Sequence, residues 1–304
     1  MAVQVELPRR AIEISIDGAR VQTLEGSTIL DACRAADIDT PTLCHLKTLT
    51  PVNACRACVV EVEGSRTLVP SCSRQVEEAM VVRTDTERVA HSRKMVLELL
   101  ASSADMSLAD DVERWISDYG ADPGRFGPPA SPNGRTATSV GHHAPPDGAT
   151  AATVAQPVKV HDDLYVRDYS KCILCYKCVE ACGVDAQNTF AIAVAGRGFD
   201  ATISTEFDTL LTDSACVYCG NCIGVCPTGA LMFKTEFDMR ESGTWDEESQ
   251  TITETICTYC GVGCTLELHV QDNEIVRVMS PLDHDVTSGH LCIKGRFGWK
   301  HVQN

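Results

Sequence analysis

The chain has 304 residues, 42 acidic against 26 basic, for a formal net charge of −16, and only 5% of them are aromatic. So acidic a balance disfavours DNA, RNA and anionic lipid, whose phosphates need clustered Lys and Arg. No apolar run is long enough for a membrane-spanning helix. Seventeen cysteines fall largely into close C-x2-C groups, and no apolar signal stretch follows Arg9–Arg10. That combination points to metal ligation in a cytoplasmic protein rather than to disulfides.

Residues 1–84 are expected to form the first unit. The stretch "AIEISIDGARVQTLEG" alternates apolar and polar residues around Asp17–Gly18, a hairpin signal. Ser27 offers an N-cap for a helix over "TILDACRAADI", with Ile29, Leu30 and Cys33 on one face. A cysteine-bearing loop follows, then short strands at 57–63 and 66–70 around Gly64 and a last strand in "MVVRTD". Hairpin, helix, loop and hairpin are the ingredients of a β-grasp domain. Residues 85–120 read as helical, with Thr86 capping "ERVAHSRKMVLELLAS" and a shorter helix in "LADDVERWISDY".

Residues 121–158 are rich in Pro, Gly, Ala and Thr and read as a flexible linker, with His142 and His143 solvated in it. Residues 159–245 contain an internal repeat: "CILCYKCVEAC" returns as "CVYCGNCIGVC" forty-four residues later, each copy followed by short apolar strands. Residues 246–304 read as strands around a cysteine knuckle, with Asp272–Asn273 as a turn. The expected class is therefore α+β. A β-grasp [2Fe–2S] domain, a helical segment and a two-cluster bacterial-type ferredoxin domain would precede an incomplete [4Fe–4S] domain.

Cys44, Cys55, Cys58 and Cys72 are spaced C-x10-C-x2-C-x13-C, three in one loop and the fourth at the end of a strand. Four thiolates so distributed suit a [2Fe–2S] cluster, although plant-type ferredoxins use C-x4-C-x2-C. A structural zinc site is the competing reading, and a zinc-stabilised interaction scaffold its functional counterpart. Both repeats follow C-x2-C-x2-C-x3-C, the pattern in which the fourth cysteine of each run serves the other cluster. One [4Fe–4S] cluster would then take Cys172, Cys175, Cys178 and Cys226, and the other Cys216, Cys219, Cys222 and Cys182. Cys257, Cys260, Cys264 and Cys292 form a fourth set, C-x2-C-x3-C-x27-C, in the glycine-containing knuckle "CTYCGVGC" and in "CIKG". Cys33 is left over and reads as core. His45 follows a ligand position directly and reads either as a group that tunes the cluster or as a surface residue.

The first set resembles the [2Fe–2S] domain that opens the large iron–sulfur subunit of respiratory complex I, shared by NAD-dependent formate dehydrogenases and NAD(P)-reducing hydrogenases. The last set resembles the [4Fe–4S] domain that opens molybdopterin oxidoreductases, where a lysine past the fourth cysteine lies between cluster and pterin; Lys294 holds that position. Taken together, residues 11–304 resemble the N-terminal part of the alpha subunit of molybdenum- or tungsten-containing, NAD-dependent formate dehydrogenase.

That resemblance implies formate oxidation at a bis-molybdopterin guanine dinucleotide site. It also implies electron delivery to an FMN-containing, NAD-reducing subunit and its small [2Fe–2S] partner. Two departures stand out. Residues 100–122 contain no cysteine or histidine, so the additional [4Fe–4S] cluster of many relatives is expected to be absent. Nothing in the chain can provide the pterin site, so either the sequence is a shortened piece of a longer one or, the favoured expectation, a separate catalytic subunit docks on 257–304. Phe297 and Trp299 would then be exposed for it. The runner-up is the same wiring in a hydrogenase or a complex I-like dehydrogenase.

Overall fold

A computed structural model describes residues 9–126, 158–198 and 201–303. Most of the segment expected to be a linker, with His142 and His143, lies outside the described residues.

The first unit is built on a five-stranded sheet in the order β2-β1-β5-β3-β4. Its strands are β1 (Ala11–Ile16), β2 (Ala19–Leu24), β3 (Val59–Val62), β4 (Val69–Pro70) and β5 (Val81–Arg83). β1 pairs antiparallel with β2 and parallel with β5, as a β-grasp requires. The β1–β2 turn places Asp17 and Gly18 at φ 50° and 84°, the geometry that Asp-Gly supports in two-residue hairpins. Helix α1 (Ile29–Ala35) packs Ile29, Ala32 and Cys33 against Ile14, Ile16, Val60 and Val82, all buried. Its cap differs from the expectation: Thr28, not Ser27, begins the helix. The Thr28 hydroxyl accepts from the Asp31 backbone N–H at 3.1 Å, and the Asp31 carboxylate accepts from the Thr28 N–H at 3.0 Å. Asp31 stands three residues beyond Thr28, so only that residue can close a reciprocal capping box.

Helix α2 (Glu87–Ser103) is capped by Thr86, whose hydroxyl accepts the Val89 N–H at 3.2 Å. Buried Arg93 ties it to the sheet by donating to Val59 O at 3.1 Å, and to the end of α3 (Val112–Asp118) by donating to Tyr119 Oη at 2.7 Å. Residues 121–126, expected to open the linker, are anchored instead. The fully buried Glu98 carboxylate accepts from the Asp122 N–H at 3.1 Å and pairs with Arg125 at 2.7 Å. A carboxylate taken out of water needs such partners, and they hold the chain down.

The second unit contains β6 (Lys159–Val160), β7 (Tyr165–Arg167), α4 (Lys177–Cys182), β8 (Ala193–Ala195), β9 (Thr202–Ser204), α5 (Asn221–Gly224), β10 (Leu231–Phe233) and α6 (Lys234–Ser242). β10, β7 and β6 form one antiparallel sheet, and β8 and β9 a second. The third unit is an antiparallel sheet of β11 (Thr251–Ile256), β12 (Thr265–Gln271) and β13 (Glu274–Met279), followed by α7 (Ile293–Phe297). Asp272 and Asn273 turn between β12 and β13 at φ 52° and 65°.

Phe297 of α7 and Trp299 just beyond it are not exposed, contrary to expectation. Phe297 is 8% and Trp299 9% exposed. Phe297 packs between Tyr165 and Phe233 of the second unit, ring centroids 5.2 and 5.6 Å away, and Trp299 joins Leu266, Val278 and Leu291. The chain itself covers this face. Among the described residues no helix is long and apolar enough to cross a membrane.

Candidate metal centres

In the first unit the loop after α1 carries Cys44, Cys55 and Cys58, and Cys72 returns just after β4. The thiols interact most strongly in two pairs, Cys44 with Cys55 and Cys58 with Cys72, and the Cys72 thiol donates to Asn53 Oδ1 at 3.3 Å. Within each pair one thiol, Cys55 or Cys58, is held below its usual range by its neighbour, while the other, Cys44 or Cys72, is pushed up. The Cys55 N–H donates to Cys44 Sγ at 3.4 Å. Asn53 and Arg56 adopt φ of 61° and 60°, bending the loop around the thiols at a conformational cost. Four thiols in two pairs match a centre of two irons, each of which needs two protein sulfurs. His45 is half-buried beside them, its pKa lowered by burial and by Arg34, and its Nδ1 has no partner.

The repeated runs share one backbone solution. Leu174 and Tyr176 in the first copy have φ of 51° and 68°; Tyr218 and Gly220, at the same places in the second, have 57° and 70°. Alternating left-handed residues curl a loop so that its N–H groups point inward, a concavity suited to an anionic centre. The Tyr218 N–H donates to Cys216 Sγ at 3.4 Å and the Ala191 N–H to Cys182 Sγ at 3.2 Å.

The eight cysteines of the repeat separate into two cavities in crossed fashion. Cys172, Cys175, Cys178 and Cys226 line one. Cys182, Cys216, Cys219 and Cys222 line the other. Both are walled mainly by apolar side chains. Burial pushes Cys172 and Cys216 up to about 11 and Cys175 up to about 12, so bare thiolates are unfavourable there and a bound cation is needed to hold them ionised. Among the described residues no three His, Cys, Asp or Glu close on one ion-sized point.

Polar side chains of these cavities carry unused donors. Tyr165, fully buried, lines the second cavity, and its hydroxyl has no protein partner. Arg167, 2% exposed, lines the first; Nη1 donates to Ile203 O at 2.8 Å and to Tyr169 Oη at 2.9 Å, while Nε and Nη2 have no partner. Orphaned buried donors facing a thiol-lined cavity fit a sulfide-bearing anionic cluster, whose potential such donors and charges tune.

The fourth set lies at the surface of the third unit. Cys257 is buried and its N–H donates to Cys264 O at 2.8 Å, while Cys260 and Cys292 are exposed. Gly263 supplies φ 73° within the knuckle. Lys294 is exposed on α7, two residues past Cys292, and Tyr259, Val262 and Ile293 add exposed apolar surface around the set.

The sets form a connected series. Cys55 and Ile173, which lies between Cys172 and Cys175, belong to one apolar cluster with Leu43 and Trp115. Lys177, 9% exposed, has its charge felt by Cys175 and Cys226 on one side and by Cys44 and Cys55 on the other. Asp185 fastens the two units, accepting from Thr50 N at 2.6 Å and Thr50 Oγ1 at 3.0 Å. At the far end Asn221, between Cys219 and Cys222, accepts the Leu291 N–H at 2.9 Å, next to Cys292. Sequence reasoning missed Tyr165, Arg167, Lys177 and Arg296, none of which belongs to a spacing motif.

Family models match in the same order: a 2Fe-2S iron-sulfur cluster binding domain over residues 9–87, a 4Fe-4S dicluster domain over 171–230 and a molybdopterin oxidoreductase Fe4S4 domain over 250–304. The chain is 31% identical over 302 residues to the alpha subunit of the NADPH-Fe(3+) oxidoreductase of Geobacter sulfurreducens, covering 96% of this chain and 32% of that protein. It is 37% identical over 226 residues to the HndD subunit of the NADP-reducing hydrogenase of Solidesulfovibrio fructosivorans, covering 73% and 36%. An NADH-quinone oxidoreductase subunit of Rhizobium meliloti is 31% identical over 301 residues, covering 96% and 32%. The chain thus spans about a third of the length of these curated relatives. Its fold resembles that of a chain in the NAD+-reducing [NiFe]-hydrogenase in the H2-reduced state, with a TM-score of 0.54 and 22% identity over 73% of this chain and 87% of that one. Residues 9–304 therefore carry, in sequence order, a 2Fe-2S domain, a 4Fe-4S dicluster domain and a molybdopterin-oxidoreductase Fe4S4 domain.

Proposed function

We propose that the chain is the electron-relay part of an NAD(P)-linked oxidoreductase complex. In this reading Cys44, Cys55, Cys58 and Cys72 hold a [2Fe–2S] cluster. Three [4Fe–4S] clusters are held by Cys172, Cys175, Cys178 and Cys226; by Cys182, Cys216, Cys219 and Cys222; and by Cys257, Cys260, Cys264 and Cys292. The observation that carries it is the crossed sorting of the repeat cysteines into two separate apolar cavities. Bound clusters would supply one-electron chemistry. The chain's residues supply the thiolates, exclude water with Tyr165, Ile203 and Leu231, and direct donors at the sulfurs.

Within that class we favour a formate dehydrogenase, in which a molybdenum or tungsten pterin site on a partner feeds the 257–304 end and a flavin–NAD subunit receives electrons. Exposed Cys292 and Lys294, with an apolar rim, suit a docking face for the pterin side, Lys294 facing the cofactor. The similarity to a chain of the NADP-reducing hydrogenase supports a second reading, the same relay fed by a hydrogenase centre.

The test is reconstitution with a pterin-containing partner. Lys294→Ala should slow formate-driven NAD+ reduction and largely spare formate oxidation by an artificial acceptor at the pterin. Failure of any pterin-containing chain to bind would reject the formate reading and leave the hydrogenase one.

A further inference from the structure

Arg296 is the largest fully buried side chain in the described structure, and it lies where the second and third units meet. It sits on α7, four residues past Cys292, yet reaches the wall of the Cys182–Cys216–Cys219–Cys222 site. Its hydrogen bonds all go to neutral groups: Nη1 donates to Val278 O at 3.1 Å and Met279 Sδ at 3.4 Å, and Nη2 to Gly289 O at 3.2 Å and Asn221 Oδ1 at 3.4 Å. Nε has no partner. Burial lowers its pKa to about 10, so it stays cationic at neutral pH. Asn221 stands between Cys219 and Cys222, so the guanidinium is anchored to the run that carries two of that site's thiols.

A buried cation without an ion-paired carboxylate is expensive unless something anionic balances it. The second repeat is shaped to admit it. A Cβ at Gly220 would lie 2.7 Å from Arg296 Cγ and 3.0 Å from the Phe297 ring, and one at Gly224 3.3 Å from Arg296 Nη2. The first copy has Tyr176 and Lys177 where the second has Gly220 and Asn221, and its cavity takes its own buried cation, Arg167, from β7. Arg296 thus brings positive charge to the second site from a different unit.

We propose that Arg296 is a positioning residue that supplies the counter-charge of the second [4Fe–4S] site, so that seating of the third unit sets that cluster's reduction potential. This rests on the relay reading above. A unit positive charge several ångströms from a buried redox centre stabilises the reduced, more negative form. The cluster at Cys182, Cys216, Cys219 and Cys222 is thereby made easier to reduce than it would be without Arg296.

The experiment is electron paramagnetic resonance with redox titration on the whole, cluster-loaded chain, comparing wild type with Arg296→Gln, Arg296→Met and Arg296→Lys. The neutral variants should make the second cluster at least about tenfold harder to reduce, about 59 mV for a one-electron couple. The [2Fe–2S] cluster and the Cys172-side cluster should move by much less, and Lys should stay close to wild type. Neutral variants that keep the cluster at an unchanged potential overturn the proposal. If the neutral variants lose the cluster, Lys decides: retention supports a need for charge, and loss with Lys as well means packing alone and overturns it. A wild-type chain without iron–sulfur signals would instead reject the relay reading itself.

Discussion

The Asp105 carboxylate and the Lys171 ammonium form a buried ion pair, their side chains 1% and 4% exposed, directly before the first repeat cysteine. Asp105 follows α2, and its N–H also donates to Ser170 O at 2.7 Å, so the pair joins the helical segment to the second unit. Lys171 additionally donates to Ser107 Oγ at 3.2 Å, and its carbonyl accepts the Thr228 hydroxyl at 2.6 Å. The lysine backbone that leads into Cys172 is thus held from three directions.

Removing one partner strands the other charge in a low dielectric. Asp105→Asn should destabilise the chain by about 3–5 kcal/mol, whereas Asp105→Leu with Lys171→Met should recover most of that loss. Denaturant midpoints of the three proteins check this. Equal midpoints for Asp105→Asn and wild type would show that the pair contributes nothing.

Acid stability should depend on His161. It is 4% exposed, its Nδ1 accepts the Leu211 N–H at 3.1 Å, and burial followed by Arg167 lowers its pKa to about 4. The unfolded imidazole titrates near 6.5. Stability is therefore complete above about pH 6.5 and is lost as pH falls toward about 4, because the unfolded chain takes up a proton that the folded chain refuses. The full loss is on the order of 3 kcal/mol. His161→Asn, which keeps an acceptor for Leu211, should flatten the decline between pH 7 and 5 in denaturant melts. An unaltered slope would assign it to other groups, of which His269, also lowered to about 4, is the first candidate.

Crossed ligation makes a prediction that sequence proximity does not. Cys226 follows Cys216, Cys219 and Cys222 in the chain but lines the cavity of Cys172, Cys175 and Cys178. Cys226→Ser should perturb or remove the cluster of the first run and leave that of the second. Paramagnetic resonance of the reduced protein distinguishes the two, and loss of the second-run cluster alone would reverse the assignment.

Features with a local physical cause were legible in the sequence. Asp17–Gly18 and Asp272–Asn273 marked their turns because left-handed backbone favours those residues, and the repeat was visible because each turn of its loop returns a cysteine at fixed spacing. The helix start was readable too, but only by pairing Thr28 with Asp31, so Ser27 was the wrong choice. Burial of Phe297 and Trp299 was not legible. Their partners, Tyr165, Phe233 and Leu266, are distant in sequence or in another unit, and nothing local reports that contact. Arg296 escaped for the same reason, although Gly220 and Gly224 in the second copy were a signal that something approaches closely there. Lys177 belongs to no spacing motif, and only the fold sets it between two cysteine sets.

The central claim is that these sixteen cysteines hold iron–sulfur clusters that relay electrons. Quantifying iron, acid-labile sulfide and zinc in anaerobically purified chain tests it most directly. One [2Fe–2S] and three [4Fe–4S] clusters predict about 14 iron atoms per chain with matching sulfide, in a brown, reducible protein. A colourless preparation with near-stoichiometric zinc and little iron would contradict it.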